Sequence, residues 1–226
     1  MGFAARQELA GWIRRWLLRI IRLTRPMAVT VPELSSPDQV RAVLACVSEP
    51  TQTLGVLEQR VVDAMTLALH PISDGWRSHG LGDSVNASNI SRRKIGDCEY
   101  VNAARKEIRA YESHGGDLSE VYLESHIQTL RRVMPLRISE LERVAPVEDW
   151  DILVTFVAHS FSCIPQETQI SGSVIRIAFV TMSNLVHPAG GTSLLVDIFT
   201  RQINCCLNQA RTPERVRRRY LAICAK

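Results

Sequence analysis

Six histidines and six cysteines are the residues of this chain best able to do metal or covalent chemistry. His70, His79, His114, His126, His159 and His187 are scattered, with no cysteine or acid at ligand spacing. His159 lies in an apolar run, where it reads as a satisfied core histidine in preference to a ligand or a base. Cys46, Cys98, Cys163, Cys205, Cys206 and Cys224 show no C-x-x-C spacing. Several sit in apolar runs, the pattern of a reduced protein. No H-E-x-x-H, G-x-S-x-G, G-x-G-x-x-G or P-loop motif occurs. Gly190–Gly191 ahead of a helix start can hold an anion, but a plain turn and cap is the simpler reading. These residues predict neither an enzyme nor a cofactor nor a metal.

Composition points the same way. At 226 residues and 46% hydrophobic, the chain can bury one sizeable core. Its aromatic content of 6% is thin for base-stacking platforms. The net charge of +4 is concentrated at the ends: Arg6, Arg14, Arg15, Arg19, Arg22 and Arg25 against Glu8, then "RTPERVRRRY" from Arg211. The near-neutral middle argues against nucleic acid along the body. The apolar runs fall short of the ~20 residues that span a bilayer as a helix. The sequons at Asn86 and Asn89 read as accidental.

The positioning elements follow from periodicity. Ser36 and Pro37 start a helix over "SPDQVRAVLACV", with Gln39 completing a capping box. Leu54, Leu57, Val61, Met65 and Leu69 recur at helical spacing until Pro71. Residues 71–89 read as a loop and 91–112 as a polar amphipathic helix. A further helix is predicted from a capping box at Asp117 and Glu120, interrupted by Pro135, then a short one over "LRISELERV". "DWDILVTFVAHSFSCI" and "SGSVIRIAFVTMSNLV" suit strands by propensity and a buried helical hairpin by their all-round apolarity. Helices are also predicted over "LLVDIFTRQINCCLNQA", with Thr192 or Ser193 as cap, and from Pro213.

Read in order, several segments resemble the homology motifs of the Bcl-2 family of apoptosis regulators. "DWDILVTFVAHSF" is similar to the family's first motif, with Trp150 on its tryptophan and Leu153, Val154 and Phe156 in its apolar run. "VIRIAFVTMSNLVHP" resembles the helix that follows. "HPAGGTSLLVDIF" is similar to the second motif at Gly190, Gly191 and Phe199, although Thr192 stands where that motif has tryptophan. "RVVDAMTLALHPISDGW" resembles the fourth motif at Val61, Val62, Asp63, Leu69 and Trp76. "RRKIGDCEYV" is similar to the third at Ile95, Gly96 and Asp97, with Arg92 in its leucine position.

The resemblance implies an all-α fold: a Bcl-2-like helical bundle around a buried central hairpin at residues 149–186. It implies a non-enzymatic regulator, of anti-apoptotic type, holding death-motif (BH3-type) helices of pro-apoptotic proteins in a hydrophobic groove. The groove residues it implies are Leu130, Val133, Met134, Leu141, Val144, Trp150, Ile152, Leu153, Phe156 and Val157. Ile152 stands where the family has its ligand-pairing arginine, and Asp151 stands at its glycine. Two alternatives stay open. One is a peripheral membrane structural protein, of viral matrix type, binding lipid or RNA through its basic ends. The other is a pore-forming, pro-apoptotic member of the same family.

The domain organisation predicted is a basic amphipathic helix over 1–26, a linker over 27–35 and one helical domain over 36–226. At about 100° per residue from Trp12, Ile13, Trp16, Leu17, Ile20, Ile21 and Leu23 fall within about 180° of arc. Arg14, Arg15, Arg19 and Arg22 fall in the opposite arc, and Leu18 alone breaks the division. This is the pattern of an interfacial helix; a mitochondrial presequence shares its arginine richness. The expected partners are pro-apoptotic helices and a membrane surface, with no nucleic acid. The expected location is the cytosol and the cytoplasmic face of the mitochondrial outer membrane or endoplasmic reticulum.

Overall fold

The computed structural model describes residues 2–24, 29–34, 36–84, 87–187, 193–209 and 212–225. Gly190, Gly191 and Thr192 lie outside these. The chain divides into two compact units, Met1–Thr30 and Val31–Lys226. The first holds α1, Phe3–Thr24. The division falls inside the expected linker, because Val31 is buried in the second unit's core. Its N–H donates to Asn208 Oδ1 at 2.8 Å, and its carbonyl accepts from Asn204 at 2.7 Å and Asn208 at 2.9 Å.

In the second unit α2 (Pro37–Val47) and α3 (Val56–Leu69) lead to β1 (Arg77–His79), α4 (Asn89–Arg92), β2 (Cys98–Asn102) and β3 (Glu107–Ser113). After β4 (Asp117–Leu118) come α5 (Glu120–Leu141), β5 (Asp151–Ala158), β6 (Ser160–Phe161), β7 (Gln166–Ile170) and β8 (Ser173–Thr181). The chain continues through α6 (Met182–Val186), α7 (Ser193–Asn208) and α8 (Glu214–Cys224). Six strands form one sheet in the order β1-β2-β3-β5-β8-β7, and β4 pairs with β6. β3, β5 and β8 run parallel, while β1, β2 and β7 add antiparallel edges.

The sheet is covered on both faces. Ile108, Ala110, Ile152, Val154, Phe156, Ile175 and Ile177 pack with Leu123, Ile127, Leu130, Val133 and Met134 of α5. Cys98, Tyr100, Tyr111 and Val157 meet the opposite layer, where Val56, Leu57, Val61, Val62 and Met65 of α3 share a core with α2, α6, α7 and α8. Nearly every side chain of α3 is buried. The first-helix motif positions Val61 and Val62 are therefore core residues of a helix enclosed on all sides.

The expected all-α bundle is overturned. Residues 151–181 carry β5, β7 and β8, and no helical hairpin forms there. A parallel strand buried on both faces reads as an unbroken apolar run, which imitates a buried helix. The period of two decides it: Ile152, Val154, Phe156 and Ala158 face α5, while Val157 faces the other layer.

The groove positions are a core and not a slot. Leu130, Val133, Met134 and Leu141 form the inner face of α5, against Ile152 and Phe156. Trp150 is buried before β5, and its indole N–H reaches the Ala145 carbonyl at 3.4 Å. Leu153 is partly exposed and Val144 lies open beyond the end of α5.

The helix expected over 91–112 is also corrected to α4, β2 and β3. Pro135, expected to interrupt α5, sits on its solvent face within a continuous 22-residue helix. The buried apolar stripe offsets the ~3 kcal/mol that an internal proline costs.

Candidate functional site

The strands β2 and β3 pair antiparallel with Cys98 opposite Tyr111. Those two side chains enter the α3-side core. Asp97 lies just before β2, and Glu112 of β3 faces α5 through Tyr122 and His126. Gly96 permits this approach, because a Cβ there would stand 2.7 Å from the Tyr111 carbonyl oxygen. A second glycine closes the rim: a Cβ on Gly115 would fall 2.6 Å from Gly55 Cα, at the N-terminus of α3.

Between these elements lies a cleft of about 730 Å³, with Gln59, Asn89, Asp97, Glu112, Tyr122 and His126 among its lining residues. Glu112 is its charged centre. The Tyr122 hydroxyl donates to Glu112 Oε1 at 3.1 Å, and Asn89 Nδ2 donates to Oε2 at 3.3 Å. His126 Nδ1 stands 3.4 Å from Oε1, and its Nε2 lies 3.1 Å from the Ile95 carbonyl.

Burial opposes the charge on Glu112, but His126, Tyr122 and Asn89 outweigh it and hold its carboxyl below the usual range. Burial likewise opposes charge on His126, yet Glu112 raises its pKa, so the two form an ion pair. Asp97 accepts from the Ser113 N–H at 3.0 Å. Its carboxyl is pushed up to about 8 by burial and then by the negative charge of Glu112.

No family model and no curated protein matches this chain. Among the described residues, no group of three or more histidines, cysteines, aspartates or glutamates is placed to hold a metal. The cleft therefore offers a carboxylate, a neutral acid, an imidazolium and amide groups, and the pair Asp97–Glu112 is what sets it apart. Sequence reasoning singled out Gly96 and Asp97 through a motif, without Glu112, Gln59 or His126. The missed signal was the alternation Asp97, Glu99 against Cys98, Tyr100, which is strand-like.

The other singled-out residues have structural partners. Asp63 pairs with Arg60 at 2.8 Å and accepts from the Gly82 N–H at 3.2 Å, and burial raises its pKa to about 6. His159 is the satisfied histidine expected, 3.0 Å from the Ser48 carbonyl and 3.4 Å from Glu58. All six cysteines are free.

The second candidate site is α1 itself. Trp12 and Trp16 are 60% and 68% exposed, and Ile13, Leu17, Leu18 and Ile20 are exposed with them. Arg14, Arg15 and Arg19 are exposed too, and the Arg15 guanidinium lies 4.8 Å above the Trp12 ring. The side chain of Arg22, the last interface position expected, lies outside the description. Among the described residues no helix is long and apolar enough to cross a membrane.

Proposed function

We propose that this chain is a peripheral membrane protein. α1 lies in the interface of an anionic bilayer, and the α/β unit is held at the membrane surface. The observation that carries this is the solvent-facing apolar stripe of α1, bearing two tryptophans, on a helix whose other side is arginine. Tryptophan and arginine are both suited to the headgroup boundary, the one by its amphipathic ring and the other by snorkelling. Each apolar side chain taken from water contributes about 1.5–3 kcal/mol, and each arginine near an anionic surface about 1 kcal/mol. Either contribution alone gives weak attachment; together they support stable association. The death-motif role drew on an all-helical groove and is not carried forward.

Co-flotation of the full chain with vesicles is the test. The protein should float with phosphatidylcholine–phosphatidylserine vesicles and much less with phosphatidylcholine alone, and added salt should weaken it. Trp16→Ser should lower the partition coefficient about tenfold or more, with unfolding of the α/β unit unchanged. Binding indifferent to Trp16→Ser and to anionic lipid would dismiss the reading.

A further inference from the structure

We propose that the cleft between the start of α3, the end of β3 and α5 binds a small, uncharged, planar ligand of the nucleoside class. Three observations carry this independently of the membrane reading.

The first is a set of buried polar atoms without partners. Gln59 sits in the first turn of α3 and is only 2% exposed, yet its Nε2 makes no hydrogen bond among the described residues. Asn89 Oδ1 and Ser113 Oγ are buried and unpartnered as well, and all three residues line the cleft. Asn89 gives its Nδ2 to Glu112, so its oxygen is the atom left to accept. An N–H donor, a C=O acceptor and a hydroxyl thus border one space. Buried groups of this kind are costly to leave unpaired, and a ligand that pairs them has a place prepared. The edge of a nucleobase carries an acceptor and a donor side by side, and asparagine and glutamine amides read adenine through such a pair.

The second is charge. Among the described lining residues there is no lysine or arginine, which leaves an anion without a counter-charge. Glu112 is neutralised by His126 and has both oxygens bonded, and Asp97 beside it keeps its proton at neutral pH. A cation therefore finds no free carboxylate, and the ligand that fits is neutral.

The third is the rim. The His114 and Tyr122 rings stand 4.5 Å apart and both residues line the cleft, which gives a planar ligand an aromatic flank. Leu54 is 80% exposed at the same cleft, with φ at 57°, a left-handed backbone that a bulky side chain rarely adopts. Strain of this kind collects at ligand clamps. The volume of about 730 Å³ has room for a base with its sugar.

Adenosine and uridine are the probes, titrated against the full chain by calorimetry, with their 5′-monophosphates and glucose as comparators. One nucleoside should bind per chain, in the micromolar to low-millimolar range, and raise the unfolding temperature by mass action. The monophosphates should bind no more tightly, because the lining holds no cation for the phosphate.

Gln59→Leu should weaken binding about tenfold. The variant should unfold at no lower temperature, because the substitution removes an unpaired buried amide. A Gln59 that serves packing alone would give the reverse, with stability lost and binding unchanged. Where Gln59→Leu fails to fold, Ser113→Ala keeps the test decisive, with weaker binding expected on an intact fold. No saturable nucleoside binding in the millimolar range, glucose bound in preference, monophosphates bound more tightly, or binding unchanged by these substitutions would each overturn the proposal.

Discussion

Replacing Arg137 by methionine should cost about 3–5 kcal/mol of folding free energy, the range for breaking a buried ion pair from one side. Arg137 lies on α5 and donates to Glu99 Oε1 at 2.6 Å, and both side chains are buried. The same guanidinium reaches the Arg93 carbonyl at 3.0 Å. Glu99 accepts as well from the Ile95 N–H at 2.8 Å and has His79 Nδ1 at 3.1 Å. Methionine keeps the stem and its packing, so the loss isolates the charge. Glu99 would remain buried with only His79 and one N–H to compensate it.

The pH dependence has a definite sign. Burial pushes the Glu99 carboxyl up, but His79, Arg137 and the Ile95 N–H hold it below its ordinary 4.5. Its contribution is therefore complete above pH 4.5 and lost as pH falls below that value. Urea unfolding at pH 7 should show the full deficit in Arg137→Met, and the gap should narrow in acid. Adding Glu99→Gln to Arg137→Met should recover part of it, since a neutral amide needs no counter-charge. A single variant within about 0.5 kcal/mol of wild type, the scale of an ordinary surface change, would mean that solvent already screens the pair.

Ion pairs of this kind also explain what the sequence concealed. In "RRKIGDCEYVNAARKEIRAYES" the many charges and good helix formers imitate an amphipathic helix. Glu99 and Glu112 are instead buried on the sheet because Arg137 and His126 of α5, some 14 to 38 residues further on, neutralise them. No local pattern announces a partner at that distance.

Local signals that need no distant partner read correctly. Ser36 accepts from the Gln39 N–H at 3.3 Å, and Pro37 opens α2, as the capping pattern requires. The apolar spacing from Leu57 to Leu69 became α3. At residues 151–181 the β-branched residues favoured strands, and strands formed. There the resemblance to a helical family pulled against propensity, and propensity was the better guide. The cleft drew on both kinds of information. Gly96–Asp97 was singled out only as a motif match within an expected helix, whereas Glu112 came beside it only because β2 pairs with β3.

Replacing Asp97 by asparagine should make the protein more stable, and the gain should grow with pH. In the folded chain this carboxyl titrates at about 8, against an ordinary value of 3.8. The folded state thus holds a proton that the unfolded chain releases. The contribution is fully present below pH 3.8 and is lost as pH rises through 8. Above pH 8 the wild type carries the whole cost, bounded at about 6 kcal/mol.

Asparagine keeps an oxygen for the Ser113 N–H and brings no charge to meet Glu112. Unfolding free energies measured from pH 4 to 9 should therefore diverge. Asp97→Asn should match wild type near pH 4 and exceed it by about 2–5 kcal/mol at pH 8.5. If Asp97→Asn is instead less stable at pH 8.5, the ionised carboxylate serves the fold itself, and Asp97 belongs with Glu99 among the structural acids.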